Sequence, residues 1–143
     1  MRHDEVRELL LHHLTYSGVD NAKAHEIYHD DAVLEFPQSG ERFLGKANMQ
    51  GFRAVPGRTG RLRAARAPGG RGDVWIGEGR VLYDGANPHH FVWIVELRGD
   101  LVQRETIYFA EPFPAPEWRR PWAEEGAVWE PQGDLPARIP ARS

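Results

Sequence analysis

The 143-residue chain contains no cysteine. That absence excludes a disulfide framework, a thiol nucleophile and thiolate metal sites. Lysine is nearly absent as well, since Lys23 and Lys46 stand against sixteen arginines. The bias reads as genome composition rather than chemistry. No apolar run approaches membrane-spanning length, and the opening MRHDEVRELLLHHL places acids before a three-leucine run. It is neither a secretory signal nor a membrane span, so a cytoplasmic protein is expected. A net charge of −3 argues against a general nucleic-acid binder. The arginines at 58, 61, 63, 66 and 71 lie in a stretch without aromatics, which fits a solvated hairpin better than an RNA or DNA surface.

What is present is a helical start and a sheet-like remainder. Val6, Leu9, Leu10 and Leu14 fall near helical spacing over residues 4–16, with Asp4 and Glu5 at the favourable end. Asp20 can cap a second helix over Asn21–Tyr28, and Lys46–Arg53 reads as a third. Between them, Tyr28–Gly45 (YHDDAVLEFPQSGERFLG) encodes a helix end, a strand over Ala32–Phe36, a Ser39-Gly40 turn and a returning strand. Strands follow at Arg61–Ala67, Asp73–Tyr83 (bulged or bent at Gly77 and Gly79), His89–Arg98 and Leu101–Ala110. Both faces of the last two strands are apolar, which predicts that both are covered.

The junction Tyr28-His-Asp-Asp-Ala-Val-Leu-Glu-Phe-Pro37, with this element order, resembles the NTF2-like superfamily and its SnoaL-like branch over residues 4–112. The resemblance implies an α+β cone, in which N-terminal helices pack on a strongly curved, mainly antiparallel sheet enclosing a pocket. Residues 1–112 would form that domain. The Pro- and Trp-rich residues 113–143 would pack on it or on a dimer partner, with a loose end. The pocket would take a small apolar or aromatic molecule without a cofactor, in a homodimer that binds neither nucleic acid nor membrane. Its expected lining is His12 or His13, Tyr16, Phe36, Gln38, Phe52, Trp75, Tyr83, Trp93 and Tyr108.

Family chemistry transfers only in part. Ketosteroid isomerases of the superfamily carry an aspartate base immediately before the junction proline, and here that position is Phe36. SnoaL-type cyclases use an acid on the last long strand, for which Glu105 is the nearest candidate, although Thr106 aligns more closely. The Asp–Arg–Asp set of epoxide hydrolases has no match. Glu105 on an apolar strand would have a raised pKa if buried, with His90 as its partner on the neighbouring strand. A structural ion pair between Glu105 and an arginine such as Arg80 explains the same residues. Two functional classes therefore stand: a cofactor-independent acid–base enzyme (cyclase, isomerase, dehydratase or hydrolase) and a non-catalytic binding module. A zinc hydrolase is a third, resting on His25-Glu26-Ile-Tyr-His29, which matches the H-E-x-x-H pattern. Because the expected helix ends at Asp30-Asp31, no metal site is expected.

Overall fold

The structure is a computed structural model that describes residues 1–83 and 87–125, the side chain of Asn87 apart. Three helices precede most of a seven-stranded sheet. They are α1 (His3–Tyr16), α2 (Asn21–Ala24) and α3 (Lys46–Arg53). The strands are β1 (Tyr28–Phe36), β2 (Glu41–Leu44), β3 (Arg61–Ala65), β4 (Gly69–Arg71), β5 (Val74–Tyr83), β6 (Asn87–Arg98) and β7 (Leu101–Ala110). A short 3₁₀ segment, η1 (Glu117–Trp122), follows. No helix among the described residues is long and apolar enough to cross a membrane.

The sheet runs β2-β1-β7-β6-β5-β3, with β4 paired to β5, and it curves without closing. All neighbours are antiparallel except β1 and β7, which run parallel. The early junction strand is thereby placed beside the last long strand, so β1 delivers Tyr28 and Leu34 to the centre of the molecule. One cluster joins Val6, Leu10, Leu11 and Leu14 of α1 to Trp75, Trp93 and Val95 of the sheet. Burial of each such large side chain contributes roughly 1.5–3 kcal/mol, so this seam is the main force holding helices to sheet.

Several sequence expectations need correction. The second helix stops at Ala24, capped by Asp20, whose carboxylate accepts from the Lys23 N–H at 3.0 Å. The chain is already extended at Tyr28. Gly77 and Gly79 mark no bulge, because β5 pairs with β6 in unbroken register through both. Their role is steric: a Cβ on Gly79 would sit 2.3 Å from the Ala64 carbonyl oxygen, and one on Gly77 3.0 Å from the Trp93 ring. Register shifts instead on β1 between Tyr28 and Val33, on β3 between Leu62 and Ala64, and on β7, where Glu96 pairs with Arg104 but Leu97 pairs with Val102. Gln103 is the extra residue, and it breaks the simple two-residue alternation. Val102 and Glu105 are consequently both buried, although strict alternation puts them on opposite faces.

The sheet is covered on one face. On the outer face Val74, Ile76, Val92 and Tyr108 are exposed, so among the described residues of the single chain the helices cover one face and leave the other open. The extension does not pack on its own domain as far as it is described, since Trp118 is 72% and Trp122 82% exposed. Trp129 lies outside the described residues.

Candidate active site in the helix–sheet cavity

A cavity of ≈ 270 Å³ opens between the helices and the inner face of the sheet. Its apolar wall is aromatic: Phe36 from β1, Phe52 from α3, Phe91 and Trp93 from β6, Tyr83 from β5 and Phe109 from β7. Phe36 is the hub, with ring centroids 5.3 Å from Phe43, 5.8 Å from Phe52 and 5.4 Å from Phe109, all edge-on. Edge-to-face pairs of this kind fix ring positions as well as burying area.

The polar end is built from α1, α2 and α3. His13, His25 and Arg53 line the cavity, while Glu105 and Tyr28 lie directly behind them and do not line it. Arg53 donates through Nη2 to Glu105 Oε1 at 2.9 Å. Its Nη1 reaches His25 Nε2 at 3.2 Å and Tyr28 Oη at 3.4 Å. The Tyr28 hydroxyl donates to the second carboxylate oxygen of Glu105 in a short hydrogen bond. The carboxylate is thus held from two sides, as a buried anion must be.

Chemistry fixes both histidine tautomers. The Nδ1 of His13 is 2.7 Å from the Ala24 carbonyl and that of His25 is 2.6 Å from the Asn21 carbonyl. A carbonyl only accepts, so each Nδ1 carries a proton. The second nitrogen of His25 then receives the Arg53 N–H. Among the described residues the Nε2 of His13 has no hydrogen-bond partner, nor is it sealed from the cavity. Of the two imidazoles that line the cavity, it has the lone pair left for a ligand.

Protonation states follow the same logic. Burial pushes the Glu105 carboxyl up, but Arg53, then His13, the Tyr28 hydroxyl and Trp93 outweigh it, and the net shift is downward. Glu105 is a carboxylate at neutral pH, contrary to the raised pKa expected from its apolar strand. Burial lowers His25 to about 4, assisted by the Arg53 charge. It lowers His13 too, against the pull of Glu105. Burial raises Tyr83. At pH 7 the cavity end holds one neutralised Arg–Glu pair, two neutral imidazoles and a neutral phenol, with no net charge. The Trp93 indole N–H is close enough to favour the carboxylate, yet it lacks hydrogen-bond geometry and has no acceptor.

One solved structure decides the family. It is an NTF2-like protein of unknown function from Burkholderia xenovorans, 39% identical, with 89% of this chain matched to 99% of that one at a TM-score of 0.74. The chain belongs to the NTF2-like family. Two further solved structures share the fold at lower identity. A protein assigned as a ketosteroid isomerase, from Kribbella flavida, is 20% identical over 90% of this chain and 95% of its own, with a TM-score of 0.78. A SnoaL-like polyketide cyclase assignment from Shewanella denitrificans is 13% identical over 76% and 91%, with a TM-score of 0.62. No family model matches the chain, and no curated protein does.

Within this NTF2-like frame the sequence-selected residues separate. Phe36, Phe52, Tyr83 and Trp93 line the cavity. Glu105 stands behind it, paired with Arg53 rather than Arg80. His90 does not join Glu105: it pairs with Ala110 while Glu105 pairs with Val95, and its side chain is out of phase with the buried Phe91 and Trp93. The remaining five candidates lie elsewhere. His12 turns outward to the Lys23 carbonyl at 2.9 Å and to Glu26 at 3.0 Å, with Tyr16 against its ring. Gln38 accepts the Phe109 N–H at its side-chain oxygen, and Trp75 is buried towards His3 and bonded to the Gly72 carbonyl. Tyr108 is on the exposed outer face. His25, Arg53 and Tyr28 were missed as a polar group. His25 and Tyr28 are three residues apart, but only the fold brings Arg53 to them and to Glu105.

The zincin reading fails on geometry. His25 ends a four-residue helix, His29 lies in β1 with its Nε2 2.6 Å from the Arg98 carbonyl, and Glu26 is exposed beside His12. Among the described residues no group of three or more potential ligands is arranged for a metal.

Proposed function

We propose that this NTF2-like protein binds a small, uncharged aromatic or alicyclic molecule in the helix–sheet cavity and acts on it by cofactor-independent acid–base chemistry. The observation that carries the proposal is His13: neutral, buried, its Nδ1–H fixed by the Ala24 carbonyl, its Nε2 left to the cavity. A ligand O–H or acidic C–H against that nitrogen can give up a proton to it. The imidazolium that forms is favoured by the Glu105 carboxylate and opposed by Arg53. Glu105 thus tunes the base and is not the base. The buried polar end of the cavity carries no net charge, so an anionic group placed there gains nothing while losing its hydration, and Arg58 stands at the exposed rim. The Tyr83 hydroxyl offers a donor on the β5 wall.

A second reading is favoured by Phe36. It occupies the position of the isomerase aspartate and faces the cavity as a ring, which suits a module that binds without turnover. One substrate separates the two. 2-Tetralone is uncharged, fused-ring and acidic beside its carbonyl. Wild-type protein in D₂O is expected to speed its α-proton exchange, followed by NMR, and His13→Gln to lose that rate. Exchange at the buffer rate, with 2-naphthol still bound in preference to naphthalene-2-sulfonate, would leave the non-catalytic reading. We place a second copy of the chain on the outer sheet face, where four apolar side chains remain uncovered.

A further inference from the structure

The segment after β7 has a form that the cavity does not use. Pro112, Pro114 and Pro116 alternate with Phe113 and Ala115, and η1 then presents Trp118 and Trp122. Each proline fixes its φ and disfavours helix in the residue before it, so this is a semi-rigid spacer rather than a slack tail. From Glu111 to Pro116 it spans up to ~20 Å, enough to carry η1 clear of the domain that bears it. Local polar needs are met within η1, where Arg120 pairs with Glu117 at 3.1 Å and Arg119 lies over the Trp118 ring. The three large aromatics are left in water, Phe113 at 73% exposure beside the two tryptophans.

The outer sheet face of the same chain is uncovered too. Its apolar positions are contiguous across three strands: Val92 pairs with Tyr108, and Ile94 with Ile76. Salt bridges border the strip, Glu35–Arg104–Glu96 on one side and Arg66–Glu78 on another. An apolar centre inside a polar rim is the anatomy of a protein interface. The arm leaves β7 two residues beyond Tyr108, at the margin of this strip.

We propose that Glu111–Glu125 is an exchanged arm, whose Phe113, Trp118 and Trp122 dock on a second copy of this chain as it packs on the outer sheet face. The inference rests on the dimer placed there above, and adds what anchors it. Area supports it. The sheet strip offers only half-exposed side chains, whereas three aromatics add on the order of 400 Å² per arm. With the surface they cover, two arms reach the ~1,200–2,000 Å² of a standard stable interface. A two-fold axis lets one arm serve each protomer, so the contact closes at two copies.

Sedimentation equilibrium of the full chain tests this, with Trp118→Ala/Trp122→Ala and Val92→Glu as variants and circular dichroism as the folding control. Both tryptophans are exposed in the single chain, so the double variant should keep wild-type secondary structure. A dimeric wild type, with the double variant weakened at least about tenfold, is the expected result, since buried tryptophans dominate such interfaces. A concentration-dependent blue shift of tryptophan emission in the wild type should accompany association and fade in the double variant. If Val92→Glu dissociates the dimer while the double variant matches wild type, the sheet dimer stands and the arm proposal is overturned. A wild type that stays monomeric at the highest concentration overturns both.

Discussion

Arg53 and Glu105, fifty-two residues apart, meet at 2.9 Å behind the cavity, with the carboxylate fully buried and the guanidinium side chain 16% exposed. Arg53 closes α3 and Glu105 follows the Gln103 bulge of β7. The pair therefore ties the third helix to the centre of the sheet. Removing one member of a buried pair strands the other charge, at a cost of roughly 3–5 kcal/mol.

Arg53→Ala is expected to lose stability in that range by urea denaturation. Glu105→Gln should lose less, about 1–3 kcal/mol, because the amide oxygen can still accept from Arg53 while its NH2 donates to the Tyr28 oxygen. An Arg53→Ala loss below ~0.5 kcal/mol, the range of a surface substitution, would contradict the buried-pair assignment.

Acid should destabilise the protein well above the carboxylate range. His25 has its pKa lowered by burial from 6.5 to about 4 in the folded chain. Between those values the unfolded chain takes a proton that the folded chain refuses. The stability from neutral His25 is thus complete above pH 6.5 and is lost as pH falls towards 4, a loss of about 3 kcal/mol. His13 acts in the same direction, and so does depressed Glu105 at lower pH. Denaturation midpoints from pH 8 to pH 4 should fall accordingly, and His25→Gln should flatten the slope.

Gly79→Ala should destabilise by roughly 1–3 kcal/mol. Its Cβ would meet the Ala64 carbonyl at 2.3 Å and Ala65 at 2.9 Å, and backbone cannot yield without opening the β3–β5 pairing. Gly69→Ala, with nothing within 4 Å of its Cβ, is the matched control. Thermal melts of the two variants should differ clearly, and equal melts would refute the close approach.

Metal analysis should find no stoichiometric zinc, and EDTA should leave the melting temperature unchanged. Both nitrogens of His25 are engaged, and His29 is turned to the Arg98 carbonyl. Stoichiometric zinc that His25→Ala removes would restore the metal reading.

Much of the architecture was legible because it is local. Apolar spacing marked α1, the Asp20 cap marked the start of α2, and Lys46–Arg53 and Leu101–Ala110 match α3 and β7 end to end. The end of α2 was misread because Asn21–Tyr28 is compatible with helix locally, whereas β7 draws Tyr28 into a strand through its pairing with Val102. The Gln103 bulge was invisible for a similar reason, since an extra residue has meaning only against the strand it opposes.

By itself the sequence determined the cysteine-free chemistry, the helices-then-sheet order, the junction motif and an aromatic ring, Phe36, before the junction proline. Those are properties of composition, period and position along one chain. The tertiary structure decided the polar site. It chose His13 over His12, turned His90 away from Glu105, and gave Glu105 the Arg53 counter-ion that lowers a pKa which burial alone would raise. Charge–charge energy depends on distance and burial, and neither is written in the sequence spacing of residues that pair from opposite ends of a fold.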